Sequence, residues 1–128
     1  MFELEYRIES DKSVEKLSEL LEKTTPDHNF RILAVHNVQE TLKEKGFDIK
    51  PLKIFELCNA GFANEALKKD LSVALFMPCK IVVRPENDKT LMILAKPSVI
   101  SQMLPDSGLE NMANEVEHNL IGLMNAIK

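Results

Sequence analysis

Residues 107–127, SGLENMANEVEHNLIGLMNAI, carry an apolar stripe at Leu109, Met112, Ala113, Val116, Leu120, Leu123, Met124 and Ile127. Steps of three, four and seven put these side chains on one side of an α-helix. Ser107 followed by Glu110 has the spacing of a capping box, so the helix is expected to open there. At 1.5 Å per residue it extends roughly 30 Å, about the width of a small domain. A helix that long with one apolar side needs a broad surface to lie on. A sheet supplies one.

The rest of the chain contains the strands for such a sheet. In FELEYRIE (residues 2–9), Phe2, Leu4, Tyr6 and Ile8 alternate with Glu3, Glu5, Arg7 and Glu9, the period of a half-buried, antiparallel strand. Ser10 or Asp11 is expected to cap a helix carrying Val14, Leu17, Leu20 and Leu21, which ends at Pro26 and Asp27. FRILAV (30–35) and LKIFELC (52–58) read as strands. Between them, Asn37 and Glu40 predict a short capped helix that stops at Gly46. Asn59 or Gly61 opens a helix over Phe62, Ala63, Ala66 and Leu67. The run from Val73 to Val83 is strand-like on both sides of Pro78, which predicts a bend, a bulge or an edge there. PENDK (85–89) is a turn, TLMILA (90–95) the returning strand, and Val99 to Met103 a brief helical piece. Helices over one face of a mainly antiparallel sheet make a two-layer α+β fold, expected as a single domain over residues 1–128.

Composition narrows the function. Net charge is −4, and acidic residues are interleaved with the basic ones, as in EKLSELLEK. Nucleic-acid binding, which needs a basic face to displace counterions, is not expected. No run approaches the ~20 apolar residues of a membrane span, and the start lacks a signal-peptide pattern. A cytoplasmic protein with reduced cysteines follows as the expectation. There is no Walker loop, GxGxxG, GxSxG or HExxH motif. Met77, Met92 and Met103 are expected in the core.

The two cysteines stand out. Cys58 in FELCNAGFANEAL and Cys79 in VALFMPCKIVV each sit where an apolar run meets a break. Around them, LKEKGFDIKPLKIFELCNAGFANEALKKDLSVALFMPCKIVVRPENDKTLMIL (42–94) resembles the central block of domain-of-unknown-function family 302. The order is a helix ending in Lys-Gly, a strand into Cys-Asn, an Ala- and Leu-bearing helix, then Pro-Cys into a valine-rich strand. The resemblance covers roughly residues 10 to 128. It implies a β-α-β4-α domain related in shape to TATA-box-binding-protein-like sheets, and a homodimer, but no established reaction. Proline often follows Cys-Asn in the pattern, where this chain has Ala60. A neutral residue often follows Pro-Cys, where it has Lys80.

Cys58, Asn59, Phe62, Cys79 and Lys80 are therefore the candidate ligand-binding residues, with Cys58 and Cys79 also the candidate catalytic ones. A reactive thiolate needs a cation, a helix N-terminus or a metal beside it. The helix expected after Cys58 offers the second. Lys80 is a weak partner for Cys79, because successive strand residues point to opposite faces. If the two strands are neighbours, the sulfurs come within disulfide reach. The plainer reading makes both cysteines small core residues and Asn59 a helix cap. Phe62 and Phe76 with the methionines could instead line a small apolar pocket. A metal site is not expected: His36 would have to join the two cysteines without any CxxC or HxxxH spacing. No cofactor is indicated. Three functions remain: a small-ligand binding module that carries or senses a sulfur or redox species, a thiol enzyme, and a homodimeric interaction domain with buried cysteines.

Overall fold

The computed structural model describes residues 3–128. Five strands, β1 (Glu5–Ser10), β2 (Arg31–Asn37), β3 (Lys53–Cys58), β4 (Cys79–Glu86) and β5 (Lys89–Ala95), form one sheet in the order β1-β5-β4-β3-β2. All four pairings are antiparallel. The helices are α1 (Val14–Thr24), α2 (Val38–Lys43), α3 (Ala60–Lys69), α4 (Ser98–Met103) and α5 (Glu110–Ile127), with 3-10 segments at Thr25–His28 and Leu71–Phe76. The α+β fold with a long C-terminal helix is as the sequence predicts.

α1 carries the chain from β1 at one edge to β2 at the other. Strands β2 to β5 then follow side by side until β5 closes against β1. Because side chains alternate along a strand, Phe55, Leu57, Ile81, Val83, Met92 and Leu94 share one face. They pack with Leu17 and Leu21 of α1 and Leu120, Leu123 and Met124 of α5 into the main core. Across the helix-free face, Arg7 sits opposite Ile93, Ile93 opposite Val82, and Lys80 opposite Glu56. The pairing of β2 with β3 shifts register between Ile32 and Ala34, leaving Leu33 as an extra residue on the edge strand.

Several local expectations change. Phe2 lies outside the described residues, and β1 starts at Glu5, with Leu4 exposed before it. Ser13, not Ser10 or Asp11, caps α1: its Oγ accepts the Lys16 amide at 3.0 Å. The Asn37 cap stands, with Oδ1 accepting the Glu40 amide at 3.1 Å. The Ser107 cap does not, because Ser107 Oγ donates to the Leu104 carbonyl and α5 starts from Leu109 without a side-chain cap. The Val73–Val83 run is a strand only from Cys79 onward. Asp70 Oδ1 accepts the Ser72 amide and starts a 3-10 segment, which buries Val73 against Ala66 and Leu109. β4 is central, and Pro85 within it lies beyond the last β3 pair at Val83, where no ladder bond is lost. The turn shrinks to Asn87-Asp88, with Asn87 at φ 54. Met92 is core as expected, Met77 packs on the second cluster, and Met103 is exposed.

Leu120 has no exposed surface and sits at the middle of the α5 contact. Leu120→Ala is expected to lower the unfolding free energy by about 2–5 kcal/mol, through lost transfer energy plus the void left behind. Urea denaturation measures this. A loss under 1 kcal/mol would mean that α5 does not organise the core.

Candidate functional site

β3 and β4 bring the cysteines to one end of the sheet. Leu57 is paired with Cys79, so Cys79 faces the helices beside a fully buried leucine. Cys58 is the last residue of β3, where the chain leaves the ladder for α3. Neither is in a disulfide. Asn59 makes the exit. Its Oδ1 accepts the Phe62 amide at 3.0 Å as the N-cap of α3, and its Nδ2 donates to the Asn29 carbonyl at 2.8 Å. The capping role is confirmed, and it also ties α3 to the turn before β2. Ala60 then occupies the first position of α3, which suits alanine and proline alike.

A partly open cavity of about 80 Å³ lies against this sheet end. Its other walls come from α3, the 3-10 segment at 71–76, α4 and the first half of α5. It falls between two hydrophobic clusters, the main core around Leu57 and Val116 and a smaller one around Ala66, Val73 and Leu109. Among the described residues, Cys58, Cys79 and Asn59 are the only non-hydrocarbon groups on the wall apart from two methionine thioethers, and no charged side chain lines it.

Of the five candidate residues, Cys58, Asn59, Phe62 and Cys79 meet at this cavity, and Lys80 does not. Lys80 sits opposite Glu56 on the other face, and its Nζ donates to the Pro78 carbonyl at 3.4 Å. Phe76 is also absent from the wall. His36 is far from the thiols in role as well as place, with Nε2 3.1 Å from Glu56 Oε1. Among the described residues no group of three His, Cys, Asp or Glu side chains could hold a metal.

Burial is the first cause that pushes the Cys79 thiol up, from an ordinary 9.0 to about 11; the nearby Cys58 adds to the rise and Lys80 opposes it. At pH 7 only about one Cys79 in ten thousand is a thiolate. Cys79 is therefore a neutral, weakly polar wall group.

A family model described as "Domain of unknown function DUF302" matches residues 6–127. The chain belongs to the DUF302 family. The crystal structure of an uncharacterized conserved DUF302 protein from Bacillus stearothermophilus shares its fold, with a TM-score of 0.93 and 30% identity over 99% of this chain and 100% of that one. No curated protein matches the chain. No helix among the described residues of this DUF302 domain is long and apolar enough to cross a membrane.

Most of the cavity wall was not foreseen from sequence. Phe30, Ile100, Leu109, Met112 and Val116 belong to three separate segments whose apolar residues read only as core. The sole advance signal for Leu109, Met112 and Val116 was the stripe of α5, which continues past the residues that cover the sheet.

Because the unfolded thiol ionises near 9.0 and the folded one near 11, unfolded chains lose this proton first as pH rises. The stability it represents is complete below pH 9 and declines on the way to 11. Alkylation of native Cys79 by iodoacetamide is expected to be very slow at pH 7 and to keep rising about tenfold per pH unit through pH 10. Peptide mapping reads the rate. A plateau at or below pH 9 would show an activated thiol instead.

Proposed function

We propose that this DUF302 domain is a small-molecule binding module that takes a compact apolar group into the cavity beside Cys58, Phe62 and Cys79. The observation that carries the reading is the wall itself. It combines hydrocarbon, two thiols and an asparagine amide bonded at both ends, in a cavity left open between two clusters. Ligand sites are concave, largely apolar and supplied with a few placed polar groups. An apolar cavity of about 150 Å³ holds benzene. At about 80 Å³ this one suits a shorter alkyl or thioether end, with the remainder of the ligand at the open side. The neutral Cys79 thiol fits such an occupant, since it is soft, polarisable and weak as a hydrogen-bond donor.

A second reading, sensing of oxidants, is favoured by one fact: both cysteines line the same cavity. Peroxide would convert the Cys58 thiol to a sulfenic acid and release water. The Cys79 sulfur would then displace a second water to form the disulfide. The raised pKa of Cys79 slows that closing step, so ligand binding is the stronger reading.

Hexan-1-ol serves as a probe. Saturable amide shifts are expected in the ¹⁵N-labelled protein at Cys58, Phe62, Met77 and Val116. Ala66→Leu, which extends a buried side chain of the cavity wall, should abolish them while the fold is kept. Shifts that never saturate, or that spread over the surface and survive Ala66→Leu, would remove the binding reading.

A further inference from the structure

We infer that the cavity also receives a soft monovalent metal ion, Cu(I) by its chemistry, between the sulfurs of Cys58 and Cys79, with the Met77 thioether as a third donor. The inference goes beyond the binding reading above and does not depend on it, because the ion needs the sulfurs and not the apolar wall.

The fold brings the two thiols together. Cys79 is paired with Leu57 across the β3–β4 ladder, and Cys58 follows Leu57 in the chain. Paired residues of an antiparallel ladder lie about 4.5–5.5 Å apart at Cα and consecutive ones about 3.8 Å, which puts the two cysteine Cα atoms roughly 6–7 Å apart. Strand alternation alone would send Cys58 to the helix-free face. β3 ends at this residue, however, and Cys58 lies on the same cavity wall as Cys79. The two are near enough for Cys58 to help push the Cys79 thiol up. Neither is in a disulfide, and both are half-buried, so an ion can reach them.

Sulfur dominates the polar groups of the wall. Met77 stands two residues before Cys79, with Pro78 between them, and all three line the cavity. Met112 of α5 adds a second thioether and packs with Met77 on the smaller cluster. The Asn59 amide has its oxygen committed to the Phe62 amide and its nitrogen to the Asn29 carbonyl. Among the described residues the wall thus offers a metal four sulfurs, no carboxylate and no imidazole.

That donor set selects the ion. Thiolates and thioethers favour Cu(I), whereas Ca²⁺ and Mg²⁺ take oxygen ligands and structural Zn²⁺ takes four from Cys, His and carboxylate. The want of a third His, Cys, Asp or Glu excludes a zinc site among the described residues, but an ion satisfied by two or three sulfurs does not need one. At the ~2.3 Å of a metal–thiolate bond, one ion joins sulfurs up to about 4.6 Å apart. On binding, two S–H bonds break, both protons pass to solvent and two Cu–S bonds form. Copper enters and stays as Cu(I), so no oxidant or reductant takes part.

The test uses the ion alone. Reduced full-length protein is titrated with Cu(I) under nitrogen, in competition with the chromophoric chelator bicinchoninate. One Cu(I) per chain is expected, with Zn²⁺ held at least about a hundredfold more weakly. Cys58→Ser and Cys79→Ser should each weaken Cu(I) by more than about tenfold, the least that loss of even a supporting residue costs a metal site. Met77→Leu should cost less than either. Should a serine variant fail to fold, X-ray absorption at the copper edge of the unmodified protein reads the shell directly, with two or three sulfurs expected. Nitrogen or oxygen in that shell, Cu(I) held as tightly by both serine variants, equal retention of Zn²⁺, or one ion shared between two chains overturns the assignment. Hexan-1-ol plays no part in that outcome, so failure of the apolar-ligand reading and failure of this one are told apart.

Discussion

The packing of α5 on the buried face of the sheet is the contact from which the remaining structure follows. Leu120, Leu123 and Met124 meet Phe55, Ile81 and Met92, and every one of these is out of contact with solvent. Burial of side chains this size is worth about 1.5–3 kcal/mol each, against a net stability of about 5–15 kcal/mol for a whole domain. α5 is longer than the surface it covers. Its first half passes the strand ends at Cys58 and Cys79, and its apolar stripe continues there through Val116, Met112 and Leu109. α3, α4 and the 3-10 segment gather around that overhang and form a second cluster. Two clusters on one helix do not close completely, and the cavity is what lies between them.

This arrangement explains the chemical character of the site. A wall assembled from core-facing residues carries no charge among the described residues, and poor solvation holds the Cys79 thiol neutral there. Activation of Cys79 by a lysine would need that cation on the same side of the sheet. The nearest in sequence, Lys80, is sent to the opposite face by strand alternation. The polar group that does touch the wall, Asn59, has both ends of its amide committed to holding α3 in place.

The sequence reveals those parts of the fold that are set by local periodicity. The stripe of α5, the alternation in β1 and the side-chain caps at Asn37 and Asn59 depend on residues within one or two turns of each other. The segment from Leu71 to Phe76 was illegible for a physical reason. Val73, Ala74, Leu75 and Phe76 are apolar without a period, and a 3-10 turn wins only because Asp70 starts it and Val73 is buried by a distant α5 residue, Leu109. Cys58, Asn59, Phe62 and Cys79, which share one cavity wall, were singled out because each lies at or just past a break in an apolar run. Lys80 was drawn in by sequence adjacency alone, and the strand undoes it. The rest of the wall comes from segments that only the tertiary fold unites.

The extra residue at Leu33 has a consequence for the molecule among other molecules. β2 is an edge strand, and its Leu33 and Val35 are exposed, so a straight β2 would present an apolar row beside unpaired backbone groups. Such an edge is a template on which further chains add strand by strand. The shift between Ile32 and Ala34 breaks the hydrogen-bonding repeat in the middle of that template. It also changes which side the following residues take, bringing His36 beside Glu56 on the helix-free face. One irregular residue thus interrupts the regular edge that strand addition requires.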